Sequence, residues 1–116
     1  MFSEIKYCKL EVFLPETHIE SLKNVLFESD AGHIGKYDRC LSYSKVISTW
    51  RPLEGTDPYI GTAGEMSEEE EMKIEVTVET ERLQDIIPKI KTVHPYEEPV
   101  INIIPLIGTA YSNQTD

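Results

Sequence analysis

The segment His94-Pro95-Tyr96-Glu97-Glu98-Pro99 holds the side chains of this chain that are best suited to chemistry. An imidazole beside carboxylates can bind a divalent metal or exchange protons. Successive side chains of an extended segment point to opposite faces, so this segment supplies at most two ligands. The residues that could complete a metal site are His33, Cys40 and Glu65. The sequence favours a structural alternative, in which His94 caps the preceding helix, the prolines fix the turn and Tyr96 packs underneath.

The run Gly32-His33-Ile34-Gly35 could present backbone N–H groups to an anion, because glycine allows positive φ and close approach of the backbone. It is not a phosphate loop, since it lacks the strand-to-helix context and the lysine of such loops. The favoured alternative is a helix stop followed by a tight turn into a strand.

Arg51 follows Trp50 and opens a loop that contains Gly55, Gly61 and Gly64. A guanidinium beside such a loop could form a pocket for a small molecule or an anion. The alternative is that Trp50 only anchors the loop on the core. The candidate ligand-binding residues of the chain are Gly32, His33, Gly35, Tyr37, Arg51, Gly55, Gly61, Gly64, His94, Tyr96 and Glu97, and the candidate metal ligands are His33, His94 and Glu97.

The elements of the first half can be predicted from hydrophobic periodicity. Apolar residues alternate with polar ones from Cys8 to Leu14, which predicts a half-buried strand. Thr17 begins a capping-box spacing, so a helix is expected over about residues 17 to 30, with Gly32 as its terminating position. Aromatic and β-branched residues then predict a long second strand from Tyr37 to Trp50.

The second half opens with the loop from Arg51 to Gly64, whose prolines and glycines exclude regular structure. The acidic run from Glu68 to Glu71 is interpreted as a solvated strand entrance, and the alternative is a patch that binds a partner or a cation. The alternation from Met72 to Glu79 predicts a strand with one buried face.

Helical spacing follows, with Thr80 as candidate N-cap, but Pro88 requires either a kink or a later start. The last strand lies between Pro99 and Leu106, and Pro105 limits it to an edge of the sheet or requires that Pro105 lie at a strand end.

The order strand, helix, strand, strand, helix, strand predicts an α+β ferredoxin-like sandwich, in which a four-stranded antiparallel sheet carries two helices on one face. The 116 residues fit a single domain, expected over residues 1–108, followed by a frayed tail at 109–116.

Composition excludes several classes of function. A formal charge of −10 repels a phosphate backbone, so nucleic acid is not expected as a partner. No apolar stretch is long enough for a membrane span. Cys8 and Cys40 stand far apart without metal-ligand spacing, which indicates free thiols in a reducing compartment and hence the cytoplasm.

Three stretches are more specific than the fold requires: DAGHIGKYDRC at 30–40, WRPLEGTDPYIGTAGE at 50–65 and VHPYEEP at 93–99. In this order they resemble the inserted module of the Nif-three-like family, also called GTP cyclohydrolase type-2-like proteins. That module is similar to CutA and to PII signalling proteins. The resemblance covers about residues 10–107 and departs from the family pattern at Asp30 and at residues 44–48.

The resemblance implies a CutA-like fold and a homo-oligomer, a trimer by analogy with CutA or else a dimer. Full-length members carry two outer lobes that bind a dinuclear metal centre, and the sequence of those lobes is not in this chain, so catalysis is not expected. The leading hypothesis is a non-catalytic regulatory module that holds a small ligand or metal in a cleft lined by the three motifs. It requires no cofactor, although a divalent metal is possible. The alternatives are a remnant of a metal-dependent hydrolase and a subunit that docks on another protein.

Overall fold

The structure, a computed structural model, describes residues 4–110. Its elements in chain order are β1 (Tyr7–Leu14), α1 (Ile19–Glu28), β2 (Leu41–Trp50), β3 (Ser67–Glu79), α2 (Leu83–Val93) and β4 (Ile101–Leu106). The four strands form one antiparallel sheet in the order β2-β3-β1-β4. The predicted βαββαβ order and fold class are therefore confirmed. Residues 111–116, most of the predicted tail, lie outside the described residues.

Both helices cover one face of the sheet. The side chains between them and the sheet are Cys8, Leu10, Val12 and Leu14 of β1, Met72, Ile74, Val76 and Val78 of β3, Ile19, Leu22 and Leu26 of α1, and Ile86 and Ile90 of α2, with Ala31. The opposite face carries ion pairs that join neighbouring strands, Lys9 with Glu75 and Lys73 with Glu11. The period-2 patterns of β1 and β3 thus separate a core face from a polar face, as predicted.

Helix α1 differs from its prediction at both ends. It starts at Ile19 after a 3₁₀ turn, and the Thr17 hydroxyl bonds His18 Nδ1 at 2.8 Å instead of capping the helix. The helix is terminated by Asp30, with φ of 57°, whereas Gly32, with φ of 78°, lies in the turn that follows. The Ala31 N–H then donates to the Leu26 carbonyl at 2.9 Å, which is the pattern of a Schellman cap. Asp tolerates this backbone conformation, so a departure from the family pattern supplies the helix stop.

Strand β2 starts at Leu41, because residues 34–37 form a turn in which Ile34 and Tyr37 bond each other. The predicted start at Tyr37 was wrong.

Strand β3 starts at Ser67, earlier than predicted, since the acidic run pairs with β2. Glu71, paired with Val46, is buried although its acidic neighbours are exposed. The acidic run is therefore more than a solvated entrance.

Helix α2 begins at Leu83 after a 3₁₀ turn that contains Thr80, which makes no capping bond from its side chain. The helix thus begins later than Thr80 suggests, which is one of the two predicted alternatives, but Pro88 still lies inside it. Strand β4 is an edge strand, in which Pro105 pairs with Cys8. Among residues 4–110 no helix is both long and apolar enough to cross a membrane.

Replacing Pro88 with alanine is expected to stabilise the protein by about 1–2 kcal/mol. Pro88 lies on the exposed side of α2 and has no N–H to donate to the Gln84 carbonyl. Lys89→Ala, at a neighbouring exposed position, is the control and is expected to change stability by less than about 0.5 kcal/mol. Denaturant unfolding measures both, and a loss of stability in Pro88→Ala would show that the helix depends on the ring.

Candidate ligand-binding cleft

A cleft of about 570 Å³ lies where the end of β2, the loop 51–64 and the segment 94–100 meet. This volume is in the range of small-molecule sites. Its lining comprises Phe13, Ser48, Thr49, Trp50, Arg51, Pro52, Leu53, Thr56, Pro58, Tyr59, Ile60, Glu71, Tyr96, Glu97, Glu98 and Val100. Arg51, Tyr96 and Glu97 are the predicted site residues that line it directly.

Trp50 holds the loop 51–64 in place. Its indole Nε1–H donates to the Ile60 carbonyl at 3.0 Å. Gly61, with φ of 118°, lies so close that a Cβ there would be 2.8 Å from Ser67 Oγ and 3.4 Å from Trp50 Nε1. The Gly64 N–H closes the loop by donating to the Pro52 carbonyl at 2.8 Å. Trp50 therefore anchors the loop and lines the cleft at the same time.

The second and third sequence motifs are bonded to each other. The Asp57 N–H donates to Glu97 Oε2 at 2.7 Å, across 40 residues of sequence. This bond joins the loop to the segment after α2, so it holds the two walls of the cleft next to each other.

Aromatic rings form a continuous cluster along the cleft. The ring centroid of Tyr96 lies 5.8 Å from that of Trp50, 6.0 Å from that of Tyr59 and 5.0 Å from that of His94. Tyr59 also meets His18 edge to face at 5.8 Å. Sequence reasoning missed Tyr59 as a residue of the site. The signal was available for Tyr59, which lies inside the second motif.

Glu71 forms the buried acidic part of the cleft. Only 4% of this residue is exposed, and the Tyr96 hydroxyl donates to its Oε2 at 2.5 Å. Its Oε1 accepts no hydrogen bond from residues 4–110. Burial, aided by the hydrogen bond to Glu71, raises the pKa of Tyr96 well above its usual range. Tyr96 therefore remains a hydrogen-bond donor at physiological pH.

Both ring nitrogens of His94 make structural hydrogen bonds. As the C-cap of α2 it lies 2.6 Å, through Nε2, from the Phe13 carbonyl oxygen, and the Tyr96 N–H donates to its Nδ1 at 3.2 Å. These contacts assign the proton to Nε2 and the lone pair to Nδ1. Burial lowers the pKa of His94, which favours this neutral form. The contacts of His94 are therefore those of the structural alternative, in which this residue caps α2.

The first motif lies elsewhere. His33 contacts the Asp30 carboxylate through Nδ1 at 3.0 Å and the Gly35 carbonyl oxygen through Nε2 at 3.1 Å. The Gly32 N–H donates to Thr77, opposite Lys9 on β1, whereas His94 contacts Phe13, four residues further along that strand. Four residues of strand correspond to roughly 13 Å. The hypothesis of one cleft lined by all three motifs was therefore wrong, because the first motif forms a separate turn.

The remaining candidate ligand-binding residues are an exposed tyrosine and three glycines in turns. Tyr37 is 75% exposed in the separate turn. Gly35, Gly55 and Gly64 have positive φ and no atom within 4 Å of the position of a Cβ, so they serve turns in open space. Whether any candidate residue binds a ligand stays a prediction.

The candidate metal ligands do not fit a shared metal site. His33 and His94 lie in different parts of the fold, each with both ring nitrogens in contact with other groups. Glu97 uses one oxygen to bind the loop. In the part of the chain that the structure describes, no group of three or more His, Cys, Asp or Glu side chains could hold a metal ion.

The two engaged histidines are expected to titrate on opposite sides of the ordinary imidazole pKa of about 6.5. Burial keeps the pKa of His94 below that value, so its contribution to stability is present above about pH 6.5 and is lost as the pH falls through its folded pKa. The hydrogen bond to Asp30 raises the pKa of His33, so its contribution is full below about pH 6.5 and is lost as the pH rises through its folded pKa.

Titration of the imidazole signals by NMR measures both pKa values. The matched variant is His33→Asn, whose loss of stability should fade as the pH rises. A pKa of His94 above about 6.5 would contradict the assigned hydrogen bonds.

Comparison with known proteins shows which class this fold belongs to. The family model of the CutA1 divalent ion tolerance protein matches residues 57–113. The PII-like protein CutA from Nostoc has the same fold with a TM-score of 0.65 at 22% identity, over 86% of this chain and 81% of that one, and other CutA structures agree. The protein has a CutA-like fold.

Sequence similarity identifies the closer resemblance. A GTP cyclohydrolase 1 type 2 homolog of Halalkalibacterium halodurans is 41% identical over 98 residues, which are 84% of this chain and 26% of that protein. The structure of a Bacillus cereus protein related to NIF3 aligns with a TM-score of 0.78 and 33% identity, over 90% of this chain and 26% of that one. The chain spans about a quarter of the length of these relatives. The predicted resemblance to the CutA-like module of Nif-three-like proteins is confirmed.

Proposed function

We propose that this chain is a non-catalytic, regulatory module that binds a small molecule in the cleft between the loop 51–64 and the segment 94–100. One observation carries the proposal: two motifs far apart in sequence bond each other around a cleft with four aromatic side chains. A site of this kind is concave, largely apolar and fixed in shape before the ligand arrives. The proposal requires no metal or other cofactor.

The non-catalytic part of the proposal is supported by the engagement of the histidines. Histidine is the commonest general acid or base of enzymes, and in that role it needs a ring nitrogen within reach of the substrate. In His94 the two nitrogens contact the Phe13 carbonyl and the Tyr96 N–H, and His33 lies outside the cleft. The hydrolase alternative finds no support in the geometry of residues 4–110, which offer no cluster of metal ligands.

The test uses Trp50, which is the single tryptophan of the chain and lines the cleft. Small molecules are screened for a saturable change of its fluorescence together with a rise of the melting temperature. Tyr59→Ala removes a cleft side chain that is 52% exposed, and Tyr37→Ala removes one that is 75% exposed in the separate turn. We expect binding to be lost in Tyr59→Ala and kept in Tyr37→Ala, whereas equal binding by both variants would place the ligand elsewhere.

We further propose that the module works as a homo-oligomer, a trimer or a dimer. Strands β2 and β4 are the edges of the sheet, and unpaired edges are surfaces that proteins cover or pair. Exposed apolar side chains follow these edges, with Tyr43 51%, Ile47 71% and Ile103 45% exposed. A scattering mass that is a multiple of 13.3 kDa is expected, and the mass of one chain at all micromolar concentrations would contradict this part.

The same exposed edges favour the docking alternative, in which another protein covers them. The chain spans about a quarter of the length of its relatives, so a protein that resembles the rest of those relatives is a natural candidate for the partner. A one-chain mass combined with recovery of such a partner would favour docking over self-assembly. The free thiols of Cys8 and Cys40 support a cytoplasmic setting as part of the proposal.

A further inference from the structure

We infer that the cleft selects an organic cation, with an ammonium or guanidinium group held against Trp50, Tyr59 and Tyr96 and facing the buried carboxylate of Glu71. This inference rests on the proposed function and names the chemical class of the ligand.

The aromatic walls of the cleft suit a cation. The ring planes of Trp50 and Tyr59 are inclined at 47° and 48° to the plane of Tyr96, so none of them stacks face to face with the central ring. Trp and Tyr faces carry negative potential and attract a cation that lies within about 6 Å of the ring centroid. Walls inclined in this way can surround an alkylammonium group from several sides.

Glu71 supplies the counter-charge. It is 4% exposed, and Tyr96 occupies only its Oε2, while Oε1 takes no hydrogen bond from the described residues. Glu71 keeps only slight contact with water, and a carboxylate that is largely desolvated is costly unless a partner of opposite charge or a donor satisfies it. A cationic ligand in the cleft would provide that partner.

The other charges of the lining favour a cation over an anion. The lining holds three carboxylates, those of Glu71, Glu97 and Glu98, against the single guanidinium of Arg51. Arg51 is exposed, whereas Glu71 is buried, so the acidic charge is the less hydrated of the two. An anion bound to Arg51 would have to enter beside these carboxylates, which the Coulomb repulsion of like charges disfavours.

The test compares two probes of equal shape. Choline carries a quaternary ammonium, and 3,3-dimethyl-1-butanol places a neutral carbon at the same position. Each is titrated at constant ionic strength while Trp50 fluorescence is followed. We expect saturable binding of choline in the millimolar range, at least about tenfold tighter than the neutral probe, because only the cation gains the ring and carboxylate interactions.

Glu71→Gln keeps the size of the side chain and an acceptor for Tyr96 while it removes the charge. This variant should weaken choline binding about fivefold or more and leave the neutral probe unchanged. Glu81→Gln, exposed and outside the cleft, is the matched control and should bind as the unmodified chain does.

Three outcomes separate the claims. Preference for choline that depends on Glu71 supports the inference. Equal binding of both probes overturns cation selectivity but leaves a small-molecule cleft, so the proposed function survives. Binding of neither probe overturns the inference, and the wider small-molecule screen then decides the proposed function. The comparison of probes in the unmodified chain keeps the inference testable even if Glu71→Gln fails to fold.

Discussion

Replacing Gly32 with alanine is expected to lower the free energy of unfolding by about 3 kcal/mol or more. Gly32 has φ of 78°, and its N–H and carbonyl bond Thr77 and Cys40. A Cβ at this position would lie 2.3 Å from the Cys40 carbonyl oxygen. Backbone cannot swing aside as a flexible side chain does, so the turn must open or its two bonds must lengthen.

Gly35→Ala is the matched control for this variant. Gly35 lies in the same turn with φ of 59°, but no atom lies within 4 Å of its Cβ position. Its cost should be the conformational penalty alone, about 1 kcal/mol. Urea unfolding of both variants measures the difference. Equal losses would contradict the close approach of Gly32 to Cys40.

Replacing Tyr96 with phenylalanine is expected to cost about 2–3 kcal/mol of unfolding free energy. The substitution removes only the hydroxyl, which donates to Glu71 Oε2 at 2.5 Å. The carboxylate of Glu71 would then stay buried without this donor, and the loss of one partner of a charged pair costs more than the bond itself contributes.

A double variant isolates the cause of this loss. Adding Glu71→Leu to Tyr96→Phe removes both polar partners, and stability should return to within about 1 kcal/mol of the unmodified chain. Tyr37→Phe, at a 75% exposed tyrosine, should be neutral. If Tyr96→Phe alone is neutral, water in the cleft satisfies Glu71 and the pair is not a determinant of stability.

The strands could be predicted because burial leaves a period-2 record in the sequence. Strands β1 and β3 bury every second residue against the helices, and their alternation gave both elements and their inward faces. The helix starts were less readable, because 3₁₀ turns at Glu16–His18 and Thr80–Arg82 place the first helical residues later than the capping residues suggest.

The candidate site was only partly predictable, since a motif does not reveal which other motif it meets. The second and third motifs meet through Asp57 and Glu97, but the first is held beside Thr77 by the path of β3. Glu71 was hidden in a run of acidic residues. Its burial follows from a tertiary contact with Tyr96, which no local pattern encodes.

The most direct test of the central claim is a crystal structure of the purified protein soaked in a set of small organic fragments. The claim predicts that bound fragments concentrate between Trp50, Tyr59 and Tyr96, with the Asp57–Glu97 bond intact. Fragments that gather at the turn 32–37 or along β2 and leave this cleft empty would contradict it.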